Sequence, residues 1–434
     1  MLSIKYIYVE KIRIEKKSGC IRYKATQRSV LEKNYDFFAF FSIFPDVAQL
    51  EGQLKRIKYK ETGFLTFFNF FIIYLQQRAF MNILLMGYYG YRNVGDDLFV
   101  KQLINYFTEK KQVKNIFIIC EENYYQTDSH KVSFFLSSKL SKIKKLLLIL
   151  KSDCLIWGGG TLNINGKPDN LLRMQNIVKM TGKRFCFLGV GLEAIESGQA
   201  GTSAKIFQNA NLLYLRDNNS YELARQELKP VNTYCLGGDL AFLDVNLYEP
   251  FVKKENKSKQ IKNISFSGKF WWGDGRAEFY AKQLMPLIKE FNSVIHLLPA
   301  HGGEERNDNK FHKLMLQYLP KENCQIHSWN KPEDFVEILS QMDFHFGNRL
   351  HSIIIADILG VPNIGIDNYV SKNSKIKNYI DKTNMLSLNR MFDFMEPIDI
   401  DNIKKIFQEY QRPIEFILNE SKTAFEGIEF LFKK

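Results

Sequence analysis

The sequence predicts an α/β protein built from two doubly wound, Rossmann-like domains behind an N-terminal extension. Three observations predict it. From Met81 onward short apolar runs alternate with amphipathic runs of helix length. The alternation breaks at a polar, lysine-rich stretch and then resumes. Several of the apolar runs end in glycine-rich or charged loops. Parallel strands covered by helices on both faces are buried on both sides and therefore read as continuous apolar runs, so this alternation points to layered α/β domains.

Residues 1–80 stand apart from the rest. They carry 14 Lys and Arg against 7 Asp and Glu and lack the alternation. Their most apolar part, residues 64–75, is about a dozen residues, short of the roughly twenty that cross a bilayer. It also lies too deep, and lacks a small-residue cleavage site, for a secretory signal. The segment reads as a dispensable extension, a membrane-surface patch or an artefact of start-site choice, with the working chain opening at Met81.

The first domain is expected over residues 81–245. Its strands are predicted at 83–86, 116–120, 154–157, 185–190 and 212–215, and its helices at 96–107, 134–150, 171–180, 203–210 and 220–228. A linker is placed at 248–262, where the chain turns polar and lysine-rich. The second domain, 260–395, repeats the scheme, with strands at 264–267, 294–298, 325–327, 344–346 and 363–366. Helices at 278–291, 311–318, 332–340 and 352–359 separate them. A helical tail, 396–434, is expected to pack back across the domains. Within it Asp399-Ile400-Asp401 has D-x-D form, but Asp401 reads as the cap of the following helix.

Composition narrows the function classes. With 434 residues, 45% of them apolar and 25% charged, the chain is long enough for two cores and is not disordered. Its formal charge of +13 suits an acidic ligand, nucleic acid or an anionic membrane face. No RNA-binding sheet signature, zinc finger or helix-turn-helix cue accompanies the charge, so nucleic acid is not an expected partner. The six cysteines are scattered without a C-x-x-C pair and read as small buried hydrophobes in a reducing compartment. The seven histidines show no metal-binding spacing, so no metal is expected.

Candidate site residues fall at strand ends. Gly87-Tyr88-Tyr89-Gly90-Tyr91-Arg92-Asn93-Val94-Gly95-Asp96-Asp97 matches neither dinucleotide nor Walker loops. Two carboxylates at a helix start would repel phosphate, so Asp96 and Asp97 suit hydroxyl-bearing ligands, with Tyr88, Tyr89 or Tyr91 as stacking faces for a sugar. Gly158-Gly159-Gly160-Thr161 follows the third strand and offers approachable backbone N–H groups. Arg216-Asp217 and Ala300-His301-Gly302-Gly303 end later strands, with Asp308 shortly after. Asn348-Arg349-Leu350-His351-Ser352 places a cation and an imidazole two residues apart at a helix entrance, suited to an anionic reactant and to proton transfer near neutral pH.

Taken together with Gly360-Val361-Pro362 and Ile364-Gly365-Ile366, these motifs resemble the polysaccharide pyruvyl transferase family from Met81 to about residue 380, in the family's order and spacing. The resemblance implies a GT-B-like fold and transfer of a pyruvyl group from phosphoenolpyruvate to a sugar, usually as a ketal. It places the acceptor on the first domain and the donor on the second. It implies that Arg216, Arg349 and His351 serve donor binding and catalysis, with Leu350 between two of them. Asn348, Gly159, Gly160, Thr161, Tyr89, Asn93, Asp96, Asp97, His301 and Lys375 or Lys372 are the accompanying candidates for substrate contact. His351 is the expected general acid, and Asp96 or Asp97 the acceptor of a hydroxyl proton. The implied partners are phosphoenolpyruvate, with no separate cofactor, and a sugar or lipid-linked oligosaccharide, handled in the cytoplasm with peripheral contact at the inner face of the membrane. Two other readings share these features: a GT-B glycosyltransferase using a nucleotide sugar, and a non-catalytic subunit of a polysaccharide-assembly complex.

Overall fold

The structure, a computed structural model, describes residues 11–17, 20–26, 80–194, 201–253, 260–367, 374–393 and 397–433. The chain divides into two compact units, Met1–Gln76 and Gln77–Lys434. In the first, strands β1 (Lys11–Lys17) and β2 (Cys20–Thr26) pair antiparallel, with Lys17 opposite Cys20. The apolar run at 64–75 and Lys372 lie outside the described residues.

The second unit holds two lobes. In the first lobe β3 (Met81–Met86), β4 (Val113–Cys120), β5 (Val132–Leu136), β6 (Cys154–Gly158), β8 (Arg184–Glu193), β9 (Leu212–Leu215) and β10 (Thr233–Leu236) form a parallel sheet. Their order is β10-β9-β8-β6-β3-β4-β5, and the short β7 (Thr161–Asn163) pairs with β8. Helices α1 (Val94–Glu109), α2 (Lys142–Lys151), α3 (Asp169–Met180), α4 (Thr202–Gln208) and α5 (Asn218–Leu223) connect them. In the second lobe β11 (Asn263–Ser267), β12 (Val294–Leu297), β13 (Cys324–Ile326), β14 (Phe344–Gly347), β15 (Asn363–Asp367) and β16 (Met391–Asp393) run parallel in the order β13-β12-β11-β14-β15-β16. Its helices are α6 (Asp274–Phe291), α7 (Asn309–Met315), α8 (Pro332–Ser340), α9 (Leu350–Leu359) and α10 (Lys375–Lys382), followed by α11 (Ile400–Glu409) and α12 (Ile414–Glu429). This is the two-lobed, Rossmann-like GT-B architecture.

Each sheet reverses its strand order once, between β3 and β6 in one lobe and between β11 and β14 in the other. Ligands of such sheets meet the loops at the carboxyl ends of strands beside that reversal. Those loops hold Gly87 to Asn93, Gly158 to Thr161, Gly268 to Trp272 and Asn348 to His351.

The lobes share a core. Helix α9 is buried from Ser352 to Leu359, and its Ile353, Ile354, Ile355 and Ile358 lie in one cluster with Val94, Leu98, Phe99 and Leu103 of α1. The tail splits at Pro413: Ile403 and Ile406 of α11 fill the second lobe's core, whereas Ile417, Ala424 and Ile428 of α12 join the shared cluster. Asp399, not Asp401, caps α11, accepting from the N–H groups of Asp401 and Asn402.

One expected element is wrong. Residues 134–150 are not a single helix: β5 runs to Leu136, Ser137–Lys139 form a short 3-10 turn, and Ser141 accepts the Lys144 N–H to start α2. A hydroxyl that satisfies an orphan N–H begins a helix anew, and the apolar residues on either side hide the interruption.

Candidate active site

The first lobe builds its half of the site from the loop after β3. Asp97, in the first turn of α1, accepts from the Gly90 N–H at 3.0 Å and from the hydroxyls of Tyr124 and Tyr125, each at 2.5 Å. Burial pushes its carboxyl up to about 6 against those donors. It holds the loop in place and does not face a ligand. Tyr89 is likewise fully buried, its hydroxyl donating to the Gly158 carbonyl at 2.8 Å, so the expected sugar-stacking face is absent there. The partly exposed rings are Tyr88 and Tyr91, stacked on each other with centroids 4.2 Å apart.

Asp96 points elsewhere. A Cβ added at Gly160 would lie 3.3 Å from its Oδ1, and both Arg216 and Arg349 act on it electrostatically. Burial, then the charge of Asp97, push the Asp96 carboxyl up to about 7. Gly159 and Gly160 take left-handed φ values of 74° and 84°. The Gly159 N–H is already given to the Leu188 carbonyl at 2.7 Å, so it is not the ligand donor the sequence suggested. Its missing side chain makes room for Phe99, whose Cδ2 would lie 2.0 Å from a Cβ there.

Asn93 works through its backbone. It bridges His301 of the other lobe, while the Val94 N–H donates to Ala300 O at 3.0 Å and the Gly302 N–H donates to Arg92 O at 2.8 Å. These bonds clasp the two glycine-rich loops together across the lobes.

Arg216 follows β9 and is buried. Its Nη1 donates to Asp239 Oδ2 at 3.1 Å and its Nη2 to Thr161 Oγ1 at 2.9 Å. Gly191 leaves it space, since a Cβ there would sit 2.9 Å from Nε. His351, from the first turn of α9 in the second lobe, brings its Nε2 to 3.5 Å from Arg216 Nη1 and 3.6 Å from Asp239 Oδ2. Its ring stands edge-on to Phe99 at 4.9 Å. It reaches this position only because residue 95 is glycine: a Cβ there would fall 2.0 Å from His351 Nδ1. Burial works to raise the Asp239 carboxyl, but Arg216 and His351 overcome it and hold it down to about 2. Asp239 was not singled out in the sequence. The available signal was Gly237-Gly238-Asp239 directly after β10, a glycine-rich strand end like that at Gly158.

In the second lobe Arg349 precedes α9 and donates through Nη2 to Asp308 Oδ1 at 2.9 Å, with its guanidinium 5.1 Å over the Trp271 ring. Asp308 also accepts from the N–H groups of His301 and Phe270, at 2.9 and 3.0 Å. Lys269, which the sequence reading missed, lies 5.4 Å from the centre of the same Trp271 ring. Burial, then Arg349, pull its ammonium down to about 8. Its signal was a lysine two residues past the second lobe's first strand, among aromatics. Burial, then Arg349 and Arg306, bring His301 down to about 4, so it is neutral at pH 7.

Asn348 is buried and donates to the Ile366 carbonyl at 3.1 Å, tying the loop to β15. Leu350 packs against the shared core. Lys375 is half-exposed and pairs with Glu193 at 2.7 Å, linking the start of α10 in one lobe to the end of β8 in the other. The structure thus joins Arg216, Thr161 and His351 directly, brings Arg349 within electrostatic range of Asp96, and gives Tyr89, Asp97, Asn348 and Gly159 to the scaffold. Among the described residues no group of three or more His, Cys, Asp or Glu could hold a metal ion. Among them, too, no helix is long and apolar enough to cross a membrane.

A family model described as polysaccharide pyruvyl transferase matches residues 93–369, the span containing nearly all of these groups. No curated protein matches the chain. Among solved structures, the chain is similar to S. aureus MnaA in its UDP co-structure, with a TM-score of 0.53, 11% identity, and coverage of 81% of this chain and 97% of that one. It is also similar to a UDP-N-acetylglucosamine 2-epimerase from Listeria monocytogenes, whose source calls that assignment provisional, with a TM-score of 0.50, 9% identity and coverage of 81% and 95%. At such identities the likeness concerns the fold alone.

Proposed function

The chain belongs to the polysaccharide pyruvyl transferase family, and from that premise we propose that it moves a pyruvyl group from phosphoenolpyruvate onto a sugar of a polysaccharide or its lipid-linked precursor, forming a ketal. The observation that carries the proposal is the meeting of Arg216 and His351, one from each lobe, over Asp239.

Phosphoenolpyruvate crowds a phosphate and a carboxylate onto three carbons. Guanidinium forks neutralise such groups with directed hydrogen bonds, and an ammonium does so as a point charge. Arg349 and Lys269 supply cations on the second lobe, and Arg216 supplies one on the first. Asp239 orients Arg216 and His351 together and remains ionised throughout the neutral range.

His351 donates a proton to the methylene carbon, and positive charge grows on the carbon bearing the phosphate. A sugar hydroxyl attacks that carbon and gives up its proton to Asp96, whose carboxyl titrates near neutrality. Inorganic phosphate then leaves with the C–O electron pair and takes up the proton held by Asp96, as a second hydroxyl of the same sugar closes the ring and returns its proton to His351. Asp97 is unsuited to the base role because both its oxygens are engaged.

The test is incubation of the full chain with phosphoenolpyruvate and a panel of free and lipid-linked oligosaccharides. The expected result is phosphate release together with a product heavier by pyruvate less water. Thermal stabilisation by nucleotide sugars but not by phosphoenolpyruvate would instead favour glycosyl transfer and overturn the proposal.

A further inference from the structure

Helix α2 exposes apolar surface that nothing in the chemistry uses. Ile143, Leu146, Leu147 and Leu150 are 72%, 40%, 49% and 43% exposed, whereas Leu148 and Ile149 are buried against the first lobe. At the helical repeat the four exposed residues fall within an arc of about 100°. They form one stripe rather than scattered surface leucines.

The stripe is rimmed by cations. Residues 137–151 contain Lys139, Lys142, Lys144, Lys145 and Lys151 and no Asp or Glu. Lys144 and Lys151 flank the stripe on one side and Lys142 on the other. Long lysine stems can lie along an apolar surface while their ammonium groups reach outward to anionic groups. An apolar stripe between lysines is what a helix lying in the headgroup layer of an anionic bilayer requires.

A second copy of this chain fits the stripe poorly. A two-fold contact would set the lysine-bearing rims against each other. The lysines therefore favour a lipid surface over self-association.

The position of the helix agrees. It descends from the carboxyl end of β5, so Lys139, Lys142 and Ile143 lie at the same end of the sheet as the site loops. Ser137, just before it, donates to the Glu121 carboxylate, and the Glu121 N–H donates to Tyr89 O at 2.9 Å in the glycine-rich loop.

We propose that α2 is a membrane-docking helix, with Ile143, Leu146, Leu147 and Leu150 inserted among the lipids and Lys142, Lys144 and Lys151 at anionic headgroups. It would hold the cleft against the surface from which a lipid-linked acceptor projects. The proposal does not depend on which group is transferred.

Flotation of the full chain with phosphatidylcholine vesicles, with and without about 30 mol% phosphatidylglycerol, tests it. The wild type is expected to partition onto the anionic vesicles, less so as salt rises. The Ile143→Ser/Leu147→Ser double variant should lose about tenfold in partitioning at an unchanged melting temperature. Lys142→Gln/Lys144→Gln should lose binding to the anionic vesicles while leaving the weak binding to neutral ones unchanged. Any contribution from the basic residues 1–80 is common to all these proteins and cancels in the ratio. Partitioning of the Ser variant within twofold of wild type overturns the proposal. So does a wild-type dimer in sedimentation velocity that the Ser variant abolishes without affecting flotation.

Discussion

Replacing Asp96 by Asn tests the first lobe's chemistry and its energetics together. Burial, then Asp97, push this carboxyl from 3.8 up to about 7. The folded state therefore prefers the protonated form. This group's contribution to stability is greatest below pH 3.8, falls as pH rises, and levels off above pH 7. About three pKa units correspond to about 4 kcal/mol of stability lost by pH 8, of which about 1.5 kcal/mol is already lost at pH 5. The amide cannot titrate, and its own burial cost does not vary with pH. The stability of Asp96→Asn relative to wild type should therefore rise by about 2.5 kcal/mol between pH 5 and pH 8, as read by urea unfolding at both values. Turnover should fall by about 10²–10⁴ if the carboxylate takes the hydroxyl proton. A stability difference that stays flat with pH would show that Asp96 is not a buried, high-pKa carboxyl. Undiminished turnover would remove it from the reaction.

Asp239→Asn acts with the opposite sign. Its carboxyl is held down to about 2, so its stabilisation is fully present above pH 3.8 and disappears as pH falls through 2. Losing it leaves Arg216 buried without its main counter-charge, and thermal or urea unfolding at pH 7 should show a loss of about 3–5 kcal/mol. Lys269 is cationic below about 8 and neutral above. The kcat/KM for phosphoenolpyruvate should therefore decline above pH 8 in the wild type, and Lys269→Met should raise the KM about tenfold or more and remove that decline. Arg390 is buried in the second lobe and donates through Nη2 to Asp357 Oδ1 and Oδ2 at 2.6 and 2.9 Å. Arg390→Met strands the Asp357 charge and should cost about 3–5 kcal/mol in unfolding measurements, with a substantial part regained in Arg390→Met/Asp357→Asn.

The central strands were legible because burial on both faces leaves an unbroken apolar run, as in Asn82-Ile83-Leu84-Leu85-Met86 and Cys154-Leu155-Ile156-Trp157. The strands overlooked are short or lie at edges. β10 and β5 close the two ends of one sheet, β16 closes an end of the other, and β7 has three residues. One-sided cover there lets polar residues into the pattern, so the period carries little information. At the site, Arg216, Arg349 and His351 were legible because strand ends beside glycine-rich loops are where ligands bind in such sheets. Asp96 and Asp97 could not be told apart in the sequence. Neighbours on a helix point about 100° apart, and only the fold shows which carboxylate meets Tyr124 and Tyr125 and which meets Gly160. The glycines before Asp239 marked a strand end, but its role could not be read there for a related reason, since it depends on an arginine from another strand and a histidine from another lobe.

That dependence explains why several glycines in the motifs matter more than the polar residues beside them. His351 can reach Arg216 and Asp239 only by passing residue 95, where any side chain would collide with its ring. The Arg216 guanidinium occupies space that a Cβ at residue 191 would take, 2.9 Å from its Nε. Phe99, against which the imidazole stands, needs the empty space at Gly159. Each glycine removes an obstacle between elements that come from different strands or different lobes. The interlobe clasp at Asn93 and His301 then fixes the separation across which the imidazole must reach. A cation, an imidazole and a carboxylate brought this close would be costly to assemble anew at each turnover. Setting them in place during folding moves that cost into the stability of the shared core around α9, whose isoleucines are fully or almost fully buried.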